Sequence, residues 1–143
     1  MRSAALLAAF LAGFIVALGM SGRAQVSASV FGMSKHSKPG YCEINKGLGL
    51  NYQINDDLRF GHGRFQNSKC SYTNITGLVY CPVKVGHFCF GLAFVRLTGY
   101  AERAIYAPLP IGAYTINQHN AIDFFAVTNG ELSVAGAAWR YTF

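Results

Sequence analysis

Two stretches of this chain alternate so regularly that their faces can be named from the sequence. Between residues 85 and 98, Phe88, Phe90, Leu92 and Phe94 fall on one side, with His87, Cys89, Gly91 and Ala93 on the other. Near the end, Trp139, Tyr141 and Phe143 alternate with Arg140 and Thr142. A period of two is the mark of a β-strand, whose successive side chains point to opposite faces of the sheet. One face is bulky and apolar and the other small or polar, so the sheet separates two environments. The same reading along the chain predicts eight strands, at 26–36, 47–55, 57–67, 70–82, 85–98, 109–117, 120–129 and 132–143. The breaks fall at Asn55-Asp56-Asp57, Asn67-Ser68-Lys69, Cys81-Pro82, Gly99 to Pro110, Gln118-His119-Asn120 and Asn129-Gly130. Asn, Asp and Gly tolerate the positive φ that tight turns demand.

The first residues follow another pattern. Met1 and Arg2 lead into an apolar run from Ala4 to Leu18, and Ser21-Gly22-Arg23-Ala24 follows. That charged, apolar and small-residue order is the layout of a secretory signal peptide, too short for a stable membrane span. Residues 1–24 therefore read as a leader, cleaved after Ala24 or Ala28, and 25–143 as one domain. No later stretch approaches the ~20 apolar residues of a transmembrane helix, so the hydrophobic content of 52% is carried by the strands or by the leader. Charged residues are few at 13% and aromatics abundant at 14%. The formal charge of +6 falls to +4 once Arg2 and Arg23 are removed with the leader.

An even number of strands closes into a barrel with no unpaired edge, and lipid tolerates only closed sheets. The expected fold is all-β, an eight-stranded antiparallel up-and-down transmembrane β-barrel with its bulky face toward lipid. The final aromatic strand ending in Phe143 resembles the terminal signal of bacterial outer-membrane barrels, which implies that location and a monomer. The alternative is a water-soluble sandwich or lipocalin-like barrel, in which the aromatic face would turn inward. The sequence holds no CxxC or HExxH spacing, implies no cofactor, and has no basic helix or finger spacing for nucleic acid.

If the first strand starts at the periplasmic side, the connections 37–46, 67–70, 99–108 and 129–131 gather at the outer mouth. Cys42 and Cys70 then share that mouth, and Cys81 and Cys89 flank the inner turn around Val83–Val85. Cys70 and Cys81 sit at opposite ends of one strand, ~36 Å apart at ~3.3 Å per residue, and cannot bond. The favoured pairs are Cys42–Cys70 and Cys81–Cys89, with free thiols as the alternative. His36, Asn67 and Ser68 converge on the same rim. A Ser hydroxyl needs a base such as imidazole to take its proton, and the imidazole works best with a partner such as Glu43. Lys35, Lys38, Lys46, Lys69 and Arg103 also fall there, as phosphate ligands or as a solvated loop face. Arg59, Arg64, Arg96, Arg140 and Asp123 are expected to fill the interior, which in an eight-stranded barrel holds side chains or one slender ligand such as an acyl chain.

Four segments carry a family resemblance. The run from Tyr41 to Leu50 resembles the tyrosine-x-glutamate to glycine-rich stretch of the lipid A palmitoyltransferases, and Phe65-Gln66-Asn67-Ser68 is similar to their phenylalanine-x-aspartate-serine turn. Tyr106-Ala107-Pro108-Leu109-Pro110 resembles their tyrosine-isoleucine-proline-leucine-proline loop, and Trp139 to Phe143 their closing strand. The likeness spans about 36–143. It implies an eight-stranded outer-membrane barrel that moves or removes an acyl chain on lipid A, with phospholipid and lipopolysaccharide as partners. The family's histidine falls on His36 and its serine on Ser68, while Asn67 stands where the family has aspartate. A neutral amide cannot stabilise an imidazolium as a carboxylate does, but it can polarise an ester carbonyl. A non-catalytic barrel that binds lipopolysaccharide, or has a structural role in the outer membrane, is the competing expectation.

Overall fold

The computed structural model describes residues 25–128 and 133–143, so the leader at 1–24 and the connection at 129–131 lie outside the described residues. The strands are β1 (Gln25–His36), β2 (Ile44–Gln53), β3 (Leu58–Gln66), β4 (Tyr72–Val85), β5 (Phe88–Thr98), β6 (Ile105–Thr115), β7 (Asn120–Thr128) and β8 (Ser133–Thr142). They form one closed antiparallel barrel in chain order. Closure is made by β1 and β8, paired from Ser27–Thr142 to His36–Val134. The even alternation that the sequence presents is therefore used in full: every strand finds a neighbour on both sides.

At three places the strands depart from the sequence reading by three residues or more, each for a physical reason. β2 begins at Ile44, because Ser34 N–H donates to the Glu43 carbonyl at 2.8 Å and holds the connection to a short loop. β4 continues past Pro82 to Val85, and the turn falls at Gly86-His87 instead of Val83–Val85. The ladder shifts register between Tyr80 and Val83, and such a bulge accommodates a residue with no N–H. Gly86 supplies the turn's positive φ of 59°. β6 begins at Ile105, before its two prolines, because its other edge pairs continuously with β5.

The bulky face points out. Phe88, Phe90, Leu92 and Phe94 of β5 are exposed, Phe94 at 66%, while Ala93 and Val95 between them are buried. Trp139, Tyr141 and Phe143 are exposed in the same way. Across β5, β6 and β7 the rings of Phe90 and Phe124 approach to 6.2 Å over Gly112, whose missing side chain leaves the space that Phe124 fills. Inside, Phe31 and Phe65 stack at 4.9 Å. They fit because β2 and β3 present glycines there: a Cβ on Gly63 would lie 2.9 Å from Phe31 Cε2. At Gly77 the obstacle is backbone, the Phe94 carbonyl and, at 3.0 Å, Val95 Cα.

Backbone cannot give way as a side-chain tip can. Gly77→Ala is therefore expected to lower stability by about 1–3 kcal/mol, and Gly49→Ala by less, since its nearest obstacles are 3.2 and 3.3 Å away. Urea titration of the folded barrel, followed by its heat-modifiable gel mobility, measures both. Equal losses would remove the backbone-clash explanation.

Candidate functional site

The loop end of the barrel is tied together by a few bonds. Cys42 and Cys70 form a disulfide with Cα atoms 5.4 Å apart, joining the connection 37–43 to the connection 67–71. The Cys42 N–H donates to the Ser68 carbonyl at 2.9 Å beside it. Lys69 Nζ donates to the Tyr100 carbonyl at 3.1 Å, bringing in the connection 99–104. Cys81 and Cys89 are joined at the opposite end, with Cα atoms 5.9 Å apart.

Asn67 organises this rim. Its side chain is fully buried, and Nδ2 donates to Thr73 Oγ1 at 2.8 Å and to the Gly99 carbonyl at 3.3 Å. Oδ1 accepts from the Lys69 N–H at 2.8 Å and the Ser71 N–H at 3.2 Å. Both amide protons are engaged, so neither is left to polarise a carbonyl. The turn also needs a positive φ of 62° at Cys70, beside the Asn67 cap. An Asn that closes a turn onto its own following N–H groups is an Asx turn, here extended to a third strand.

His36 reaches the interior through a bulge. Ser27, Ser29 and Phe31 face inward, but the β1 register shifts between Phe31 and Met33, so that Ser34 and His36 face inward and Lys35 outward. Strict alternation from Phe31 would have put Lys35 inside. Gly32 is the extra residue. The His36 ring is 7% exposed and stacks on Tyr41 at 4.7 Å, and its Nδ1 has no hydrogen-bond partner among the described residues. The sequence reading names Tyr41 only in the family-like stretch and gives it no place in the site, although an aromatic five positions beyond a rim histidine was its visible signal.

A cavity of about 590 Å³ lies directly beneath. His36, Ser68 and Tyr100 line its mouth, and Ile75, Val95 and Leu109 its wall. Its floor is the ion cluster of Asp123 with Arg59 (3.1 Å) and Arg140 (3.0 Å). Of the arginines expected inside, Arg59 and Arg140 are there, but Arg64 and Arg96 are exposed on the outer wall. The parity of β3 and β5 decides this: Arg59 faces in, and Arg64, five residues on, faces out.

The wall is unpaired along one seam. The Thr115 N–H donates to the His87 carbonyl of the β4–β5 turn, so odd positions of β6 bond toward β5 and even positions toward β7. Pro108 and Pro110 sit at even positions and have no N–H to offer. The β6–β7 ladder covers only Ile111–Thr115 with Ala121–Phe125, and its loop half has no pairs among the described residues. Ile105, Leu109 and Val127 of the cavity wall border that seam.

The expected site residues share the rim without forming a relay. Among the described residues no hydrogen bond joins His36 to Ser68, and Glu43 is held by Lys35 at 2.8 and 2.9 Å on the outer side. That hydrogen bond, more than the opposing desolvation, keeps the Glu43 carboxyl below its usual range. A depressed carboxylate pKa adds stability above the unfolded value and loses it as pH falls through the folded one, so the pair persists at neutral pH. Lys38 and Arg103 lie exposed in the connections, and Lys46 on the outer wall. Among the described residues no group of three or more His, Cys, Asp or Glu could hold a metal ion. A scan against protein-family models finds no match, and a search of curated proteins finds none either.

Two outcomes test this rim. A chain lacking Gly32 is expected to turn His36 outward, so that diethyl pyrocarbonate labels it readily, whereas in the parent chain peptide mass spectrometry finds it protected; protection in both would refute the bulge's role. Asn67→Ala leaves four groups without their partner and is expected to lower stability by about 2–4 kcal/mol, against about 0.5 kcal/mol for Ser68→Ala. Urea midpoints that match would deny Asn67 its structural part.

Proposed function

We propose that this chain is a bacterial outer-membrane barrel that draws one acyl chain of a membrane lipid into its interior and acts on lipid A at its loop end. The observation that carries the reading is the apolar cavity of about 590 Å³ opening beside His36 and Ser68, inside a wall whose outer face is exposed Phe, Leu, Val and Tyr. A continuous apolar outer band is costly in water and favourable in lipid. Under this reading the leader exports the chain, the loop end faces outward, and the seam at Pro108 and Pro110 admits a chain sideways from the bilayer. The resemblance to lipid A palmitoyltransferases supports the choice of acceptor.

In the catalytic form of the reading, the His36 imidazole takes a proton from an attacking hydroxyl, either that of lipid A or that of Ser68. Asn67 holds the rim's geometry. The second reading is a barrel that binds lipopolysaccharide without chemistry. It is favoured by the spent state of Asn67 and Glu43, which leaves His36 Nδ1 without a carboxylate. On either form Lys35, Lys38, Lys46, Lys69 and Arg103 are rim groups for lipid phosphates.

Expression of the full chain in a Gram-negative host, with lipid A analysed by mass spectrometry, separates the two. The enzyme form expects a gained or lost acyl chain that vanishes in His36→Ala and falls at least tenfold in Ser68→Ala. Unchanged lipid A from a barrel shown to be folded in the outer membrane leaves the binding form standing.

A further inference from the structure

The outer wall carries a second pattern above its apolar band. Lys46 stands two residues inside the loop end of β2, Arg64 two residues before the end of β3, and Arg96 two before the end of β5. Asn74 holds the same depth on β4. These four neighbouring strands thus present Lys, Arg, Asn and Arg near their loop ends, all exposed. Along the ladders Arg64 faces Asn74, and Arg96 stands one row deeper with Thr76 and His62, whose Nδ1 bonds Thr76 Oγ1 at 2.6 Å. Beneath that, Phe60, Leu78 and Phe94 form an apolar row, while Leu48 pairs with Arg64 on the β2 side.

Among the described residues these cations are in no ion pair. β2 to β6 contain no Asp or Glu at all. Glu43 is taken by Lys35, and Arg64 lies over the Tyr72 ring at 4.9 Å, which orients the guanidinium without neutralising it. On a lipid-facing wall a charged side chain is costly at the bilayer centre and nearly free at the headgroup level. Three cations near the loop end of the outer wall therefore face the headgroups, and among the described residues none of them is in an ion pair.

We propose that Lys46, Arg64, Asn74 and Arg96 form a docking wall for the phosphorylated sugar headgroup of a lipid-A-type glycolipid packed against the outside of the barrel. The inference rests on the membrane reading above. Guanidinium groups take phosphate oxygens two at a time. The wall spans three strand spacings, about 14 Å at ~4.8 Å each, which suits a headgroup with more than one phosphate. Asn74, Thr76, Thr98 and His62 stand between the cations and match sugar hydroxyls, which a glycerophospholipid headgroup offers sparsely. The site is separate from the cavity mouth: it lies on the other face of the same strands.

The test uses the full barrel in mixed micelles, titrated with bisphosphorylated lipid A, with lipid A stripped of both phosphates, and with phosphatidylglycerol. Folding is checked in every variant by heat-modifiable gel mobility. Arg64→Gln with Arg96→Gln is expected to weaken binding of the bisphosphorylated lipid roughly ten- to a hundredfold, and the paired Arg→Lys variant to keep most of it. Lys84→Gln, at the opposite end of the barrel beside Asp57, is expected to change it less than threefold. The stripped lipid should bind the parent as weakly as the bisphosphorylated form binds the double Gln variant. Unchanged affinity in that folded variant overturns the docking wall and leaves the membrane reading intact, as does phosphatidylglycerol binding as tightly as lipid A. A chain that stays monomeric in water without detergent overturns both.

Discussion

Closure of the backbone hydrogen-bond ladder is the constraint on which everything else in this molecule depends. Once β1 pairs with β8, every strand has a neighbour on both sides, and the polar backbone is satisfied without water except along the loop half of β6 and β7. That frees the outer face to be almost wholly apolar, as Phe88, Phe90, Leu92 and Phe94 make it. It also bounds the interior. An eight-stranded barrel is narrow, so each bulky inward side chain must be answered by a small one, as Phe31 is by Gly63.

Against that closed frame, the departures from regularity are what build the site. The bulge at Gly32 adds one residue to β1 and reverses the faces beyond it, which brings His36 in and puts Lys35 out. The two prolines of β6 remove donors on the side of β7 alone, so the wall loosens along one seam and stays intact on the β5 side. Asn67 then ties its own connection to β4 and to the connection at Gly99 through four hydrogen bonds. Each device costs local regularity, and each acts on the loop half of the barrel, above the Arg59–Asp123–Arg140 floor.

Charge is divided among three places with different jobs. Inside, one carboxylate holds two guanidinium groups and seals the cavity from below. At the rim, Lys35 and Glu43 neutralise one another in the open. On the outer wall Lys46, Arg64 and Arg96 remain without acids on the strands around them. The same residue type thus serves as a plug in one setting and an anion-seeking surface in another, because strand parity assigns each arginine its face.

The eight strands and the outward aromatic face of β5 were legible in the sequence, because a period of two is a local property and needs no knowledge of the partner strand. The turn at Asn55-Asp56-Asp57 was legible for the same reason, since Asn55 Oδ1 accepts from the backbone N–H of Asp57 and Leu58 within the turn itself. The outward face of Arg96 was legible in the same way, two residues past Phe94, although it was expected inside; the face of Arg64, the extent of β4 past Pro82 and the inward aim of His36 were not. Each depends on register, on where a bulge falls, or on which neighbour a strand bonds at a given residue, and these follow from closure of the whole sheet. So too with Asn67. Its sequence context resembles a catalytic turn, but Gly99, thirty-two residues away, engages one of its amide protons, and only the folded barrel brings that carbonyl to it.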